Sequence, residues 1–299
     1  MNSLKMFNGN NLFLILLIFY TLVSCSHSSN NKILKIKSNP LEAQRQEFIL
    51  DDKNEQFKII TESNIKKKSK EYIVKKSMFN KNANAALEKS IAFSKVGKVK
   101  KQPLLQPSKS EFNIWFDNKK YTSKITVLPQ KKSLSVVLNS PEAMWQGEKI
   151  YPFPKSNTVF CFYSQMVECL QYAQVFQKLK AQHSIGEEKS YQFYLIWEGF
   201  PYIADTLTQF KNEVFSKARI EYDGTLEGQN QSEEKTLKNG WDKFTLTIQG
   251  QNMALILDRD FHLKKMFWVT QGMSMLEKKT FQVQEQAQNI NDLDNSFTE

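Results

Sequence analysis

The chain has 299 residues, with 41 Lys and Arg against 31 Asp and Glu, a formal net charge of +10 and a hydrophobic content of 40%. The excess charge is confined to one region. Residues 26–100 hold 17 basic and 8 acidic side chains, whereas residues 101–299 hold 23 of each. The larger part of the chain therefore lacks the net basic character of a nucleic-acid-binding domain, and no nucleic-acid partner is expected.

The first element is an apolar run, Leu12 to Val23, broken only by Tyr20 and Thr21. As a helix it would span about 18 Å, against the roughly 30 Å of hydrocarbon that a spanning helix must cross. That length suits the core of a signal peptide. The run ends in Leu22-Val23-Ser24-Cys25. These four residues resemble the lipobox of bacterial lipoproteins: Leu, an aliphatic or small residue, a small residue, then Cys. The resemblance implies cleavage before Cys25, lipidation of Cys25 and membrane attachment through its acyl chains. Ser26 in the next position resembles an outer-membrane sorting choice, with the remainder of the chain facing the periplasm. The alternatives are an ordinary secretory signal and an uncleaved helix with a chance cysteine.

Residues 25–108 read as the lipidated cysteine and a basic, mostly disordered tether. The stretch is rich in Asn, Lys, Ser and Gln, and its apolar residues keep no long periodic stripe. A coil of that length has a mean reach of roughly 50 Å. Ala83 to Phe93 is the best helix candidate within it. The run Ile65-Lys66-Lys67-Lys68 is a solvated charge run or a contact for anionic headgroups. Pro103 and Pro107 mark the boundary with the folded part.

From about residue 109 to 284 a β-rich globular domain is predicted, followed by a polar tail over 285–299. Phe112, Ile114 and Phe116 alternate with polar residues, and strands follow at 121–128 and 133–138. Trp145, Tyr151 and Phe153 stand among prolines, so the segment reads as a loop or edge whose aromatics line a pocket mouth or tuck onto the core. Val159 to Tyr163 reads as a short buried strand. Ser164 then caps a main helix running to about His183, with Gly186 as its stop.

Cys161 and Cys169 remain after Cys25 is lipidated, an even pair suited to an oxidising compartment. Eight residues on one straight helix would separate them by about 12 Å, beyond the roughly 6.8 Å a disulfide tolerates, so a bond needs a chain break near Ser164. Strands follow at 191–197, 214–222, 244–248, 253–257, 261–269 and 273–283, with a long polar connection over 223–240.

The expected fold is α+β: a curved antiparallel sheet of about nine strands packed on one main helix and preceded by the disordered tether. This order resembles the half-barrel of periplasmic lipoprotein carriers and lipid-binding lipoproteins. The aromatic load of 22 Phe, 10 Tyr and 5 Trp either lines the concave face for an apolar ligand or fills the core beneath the helix. The candidate lining is Trp197, Phe200, Trp268 and Met273.

The three histidines, His27, His183 and His262, have no metal-ligand spacing, and no hydrolase or phosphate-loop motif is present. No cofactor is implied. Asp258 and Asp260, flanking Arg259, read as a solvated turn. The leading reading is an outer-membrane lipoprotein with a non-catalytic periplasmic domain that binds an apolar, lipid or other envelope ligand. A scaffolding lipoprotein that recruits another envelope protein and a hydrolase of envelope material are the alternatives. An integral barrel is disfavoured by the charged face of Lys217, Arg219 and Glu221.

Overall fold

The structure, a computed structural model, describes residues 43–52, 55–66, 68–80, 85–99, 102–154, 159–172, 190–202, 213–226, 241–258, 262–269 and 271–282. All of them belong to one compact unit, Ser38–Glu299. The signal-like run, the lipobox, His27, His183, the 227–240 part of the polar connection, Arg259 and Asp260 lie outside the described residues.

Strands dominate this unit. The first four are β1 (Gln44–Asp52), β2 (Glu55–Lys66), β3 (Glu71–Asn80) and β4 (Ala86–Val99). Next come β5 (Gln102–Phe116), β6 (Lys119–Leu128), β7 (Ser133–Asn139) and β8 (Gly147–Pro152). The short β9 (Phe160–Phe162) leads through a 3-10 turn at Tyr163–Gln165 into helix α1 (Met166–Tyr172). The chain then forms β10 (Ser190–Ile196), β11 (Phe215–Leu226), β12 (Trp241–Ile248), β13 (Gln251–Leu257), β14 (Leu263–Trp268) and β15 (Met273–Gln282).

All fifteen strands form one sheet, ordered β8-β7-β6-β5-β4-β3-β2-β1-β15-β14-β13-β12-β11-β10-β9. Each pairing is antiparallel except β9 with β10, which is parallel. The first strand pairs with the last, Leu50 opposite Met275, so two meanders join at the centre of the sheet. The two outer ends approach through aromatic side chains. Phe153, just past β8, lies 4.7 Å from Phe160 of β9, and Tyr151 meets Phe200 edge-to-face at 5.6 Å. Tyr202 donates to the carbonyl of Thr122 in β6 at 3.0 Å. The sheet is thus curled into a barrel-like form closed by side chains, with β8 and β9 as its ladder edges. Pro152 and Pro154 on the exposed β8 side cannot donate to a further strand, which blunts that edge.

The expected α+β fold with about nine strands on a main helix is therefore corrected to a mainly β, barrel-like fold. The stretch expected as disordered tether contains β1 to β4 among its described residues. Ala83–Phe93, the helix candidate, falls largely in β4, paired on both sides. Pro103 and Pro107 are not a boundary but lie inside β5. Pro107 sits beside a bulge, where Ser108 is the extra residue and its hydroxyl donates to the Phe93 carbonyl at 2.8 Å. A bulge relieves the ladder of the N–H that proline lacks. The prolines near 152 likewise permit an edge strand. The described helix has seven residues, and positions 173–183 of the predicted helix lie outside the described residues.

Alternation decides which face is inside. In β12, Asp242, Phe244, Leu246 and Ile248 are buried between partly exposed neighbours. Ala218, Ile220 and Tyr222 likewise alternate with more exposed neighbours in β11, whereas in β7 the buried row of Leu134, Val136 and Leu138 is joined by buried Ser133 and Ser135. Outward positions carry charge, including the surface pairs Arg219–Glu221 at 3.1 Å and Lys124–Glu111 at 3.2 Å. Among the described residues, no helix is long and apolar enough to cross a membrane.

The β9–α1 segment enters the concavity and packs across β3, β4 and β5. The Cys161–Cys169 disulfide ties the strand to the helix across the Tyr163–Gln165 turn, with Cα atoms 6.1 Å apart. The break needed near Ser164 is that turn. Gln165, 1% exposed, fastens the segment to the wall: its Nε2 donates to the Ala92 carbonyl at 2.9 Å, and its Oε1 accepts from the Ser94 hydroxyl.

Candidate functional site: an internal cavity with a charged end

The inserted segment does not fill the concavity. A cavity of about 570 Å³ remains, walled by β1 to β5 on one side, β14 and β15 on another, and α1 with the Trp197–Gly199 turn on the third. Its volume lies within the range of small-molecule sites. Strand alternation supplies its apolar wall. Phe48 and Leu50 come from β1, Phe57 and Ile59 from β2, and Phe112, Ile114 and Phe116 from β5. Met266, Met273 and Met275 line the opposite wall from β14 and β15, and Met166 lines it from α1. Methionine is unbranched and adapts to irregular apolar surfaces, so this wall suits a flexible chain.

Three of the four predicted lining residues stand at this cavity. Trp197 is held by a 2.7 Å hydrogen bond from its indole N–H to Ser216, and Trp268 by a 2.9 Å bond to Gln251, which leaves their ring faces for the interior. Met273 lines it as well. Phe200 does not: it packs on Tyr151, where the two ends of the sheet meet. The loop aromatics Trp145, Tyr151 and Phe153 also belong to that junction. Trp145 packs against Tyr202 at 5.8 Å.

The other end of the cavity is polar and was not anticipated. Lys76 of β3 extends inward, with its ammonium 5.4 Å from the centre of the Tyr163 ring. Tyr163 stacks on Trp197 at 4.4 Å. Glu88, Glu168, Glu198 and His262 line the same cavity. Burial lowers the lysine, but Glu88, the Tyr163 hydroxyl, Glu198 and Glu168 outweigh it and hold Lys76 above the usual value. The lysine is therefore charged.

The carboxyls are governed by desolvation. It raises Glu88 in spite of Lys76. Glu168, 7% exposed, is pushed up to about 7 by burial, opposed by its own backbone N–H, His262 and Lys76. Glu198, 3% exposed, is likewise pushed to about 7 by burial, opposed mainly by Ser164. Ser164 donates its hydroxyl to Glu198, and its backbone N–H lies 3.3 Å from both carboxylate oxygens.

His262 is positioned by Asp258, which accepts its backbone N–H at 2.9 Å and approaches its Nδ1 at 3.4 Å. Asp258 also pairs with Lys264 at 3.3 Å, so it is an anchored structural carboxylate of the β13–β14 turn.

One signal for this end was present in the sequence. Tyr72, Val74, Lys76 and Met78 are alternate residues, and a lysine on the inward row of a strand is a buried charge. The basic, polar composition around this row is what gives the stretch the look of a tether. Glu198, two residues past the strand that ends at Ile196, is a second such signal, a carboxylate following an apolar run. Among the described residues, no three His, Cys, Asp or Glu side chains come together to hold a metal ion.

The fold and this site define a barrel-like β domain with an internal, mainly apolar cavity polar at one end. No protein-family model matches the chain, and no characterised protein matches it in sequence. Among solved structures it is similar to a β-barrel-like protein from Brucella abortus, of a domain family of unknown function. The two share 12% identity over 80% of this chain and 97% of that one, with a TM-score of 0.43.

Proposed function

We propose that this protein is a non-catalytic binding protein of the bacterial cell envelope, anchored through lipid on Cys25, that holds an amphipathic ligand inside its barrel-like domain. The observation that carries the binding is the cavity of about 570 Å³, with Phe and Met walls and ionisable groups confined to one end. Apolar walls with a few placed polar groups are the usual form of a small-ligand site. The envelope address rests on Leu22-Val23-Ser24-Cys25 and is supported by the pairing of the other two cysteines, since disulfides persist in oxidising compartments. Outer-membrane attachment facing the periplasm follows from the same signal and Ser26.

Native mass spectrometry of the purified protein tests the binding. A bound lipid-like mass is expected, and it is expected to fall when Ile59→Trp narrows the cavity in a variant that still melts cooperatively. A ligand-free protein that takes up no added amphiphile overturns the reading. The anchor has its own test. Labelled palmitate is expected to enter the native chain and not Cys25→Ala, and equal labelling of both removes the lipoprotein assignment.

A further inference from the structure

The polar end of the cavity holds three carboxyl groups against one ammonium and the His262 imidazole, and this excess of acid says which headgroup it accepts. We propose that the ligand is a cationic amphiphile, an alkyl chain ending in an ammonium group, with its charge held by Glu88, Glu168 and Glu198 and its chain lying along the Phe and Met walls; this rests on the binding reading above.

Several observations converge. Lys76 balances one carboxylate of three. Among the described residues neither Lys76 nor Glu88 makes a direct ion pair, although each is the other's main charge partner, and both line the cavity. The Ser90 hydroxyl, on a residue only 3% exposed, lines the cavity and has no hydrogen-bond partner within the protein. A buried polar group is costly to leave unpaired, and an ammonium N–H satisfies it. Lys76 over the Tyr163 ring, itself stacked on Trp197, shows a cation already met by an aromatic face at this end. A carboxylate or phosphate head would instead add a like charge in a desolvated space.

The site should also respond to pH. Glu168 faces Tyr72, Lys76 and His262, and Glu198 faces Ser164, Tyr163 and Lys76. Both carboxyls ionise near pH 7, so the attraction for a cation is full above that pH and falls below it.

The full chain, stripped of bound lipid, is titrated with decylamine, decan-1-ol and decanoate, followed by tryptophan fluorescence. Partition of the probes into the detergent that carries the anchor is common to all variants, so variants are compared with one another. At pH 8 decylamine is expected to bind tightest and decanoate weakest, with about tenfold between them. Glu88→Gln and Glu168→Gln should each narrow that gap several-fold, Lys76→Met should widen it, and pH 5.5 should narrow it in the native chain. Melting curves establish that each variant is folded. Decanoate binding as well as decylamine, or a gap unchanged in both glutamine variants, overturns the assignment. If decanol binds as tightly as decylamine, the headgroup assignment fails while the apolar cavity stands. If none of the three binds, the binding reading fails and takes this one with it.

Discussion

Gln165 and Ala92, 73 residues apart, are joined by a 2.9 Å hydrogen bond from the Gln165 amide to the Ala92 carbonyl. This contact holds the inserted β9–α1 segment against β4, and the same side chain accepts the Ser94 hydroxyl. Gln165→Leu keeps the bulk but leaves both partners unsatisfied in a buried place. A loss of about 1–3 kcal/mol is expected. Urea unfolding should show a lower midpoint with an unchanged slope.

The disulfide works on the same segment from the other side. Cys161 and Cys169 close a short loop, with a sequence separation of 8. The Cys161→Ser, Cys169→Ser double variant should lose about 2–3 kcal/mol by the loop-entropy argument. Calorimetry of the native chain with and without reductant should show the same drop in melting temperature, and the double variant should not respond to reductant.

Glu168 and Glu198 set a pH dependence of stability. Both are raised to about 7 by burial, against an ordinary value of 4.5. The folded state therefore holds protons that the unfolded state releases. Their contribution is complete below the unfolded value and is lost as pH rises through 7, at up to about 3 kcal/mol for each group. The melting temperature should fall from pH 5 to pH 8. The Glu168→Gln, Glu198→Gln double variant should flatten that fall, and a native protein that melts higher at pH 8 would contradict the assignment.

Deleting residues 26–100 would be harmless if they were a tether. They include β1 to β4, and β1 is hydrogen-bonded to β2 on one side and β15 on the other. The deletion should abolish cooperative thermal unfolding and the native near-ultraviolet circular dichroism. A variant that melts as the full chain does would refute the topology.

The strands after residue 110 were legible because their inward rows are uniform. Phe244, Leu246 and Ile248, or Met253, Leu255 and Leu257, pack into a solid interior and alternate cleanly. The first four strands have inward rows that border a cavity. Gln44 and Gln46 share a row with Phe48 and Leu50, and Lys76 shares one with Val74 and Met78. A row that need not fill a solid core tolerates polar residues, so its period fades. Lysines on the outward rows then made the stretch look solvated throughout. Within Ala86–Val99, ladder pairing on both sides overrode the helical propensity of Ala, Leu, Glu and Lys. At the site, Trp197, Trp268 and Met273 could be found from apolar character alone. Phe200 was misplaced because the turn after Trp197 sends it to the sheet junction. The charged end needed the fold, because Lys76, Glu168 and Glu198 come from three separate segments.

The placement of β1 between β2 and β15 bears on how such a chain is made. Synthesis delivers the amino end first, and the partner that completes β1 is the last of the described strands to emerge. Until then each meander carries an open edge, and the contact that joins them spans nearly the whole unit. Pairings so distant in sequence form slowly. Maturation thus awaits β15, and a truncation near residue 273 would strand the whole chain in an unfinished, self-adhesive state.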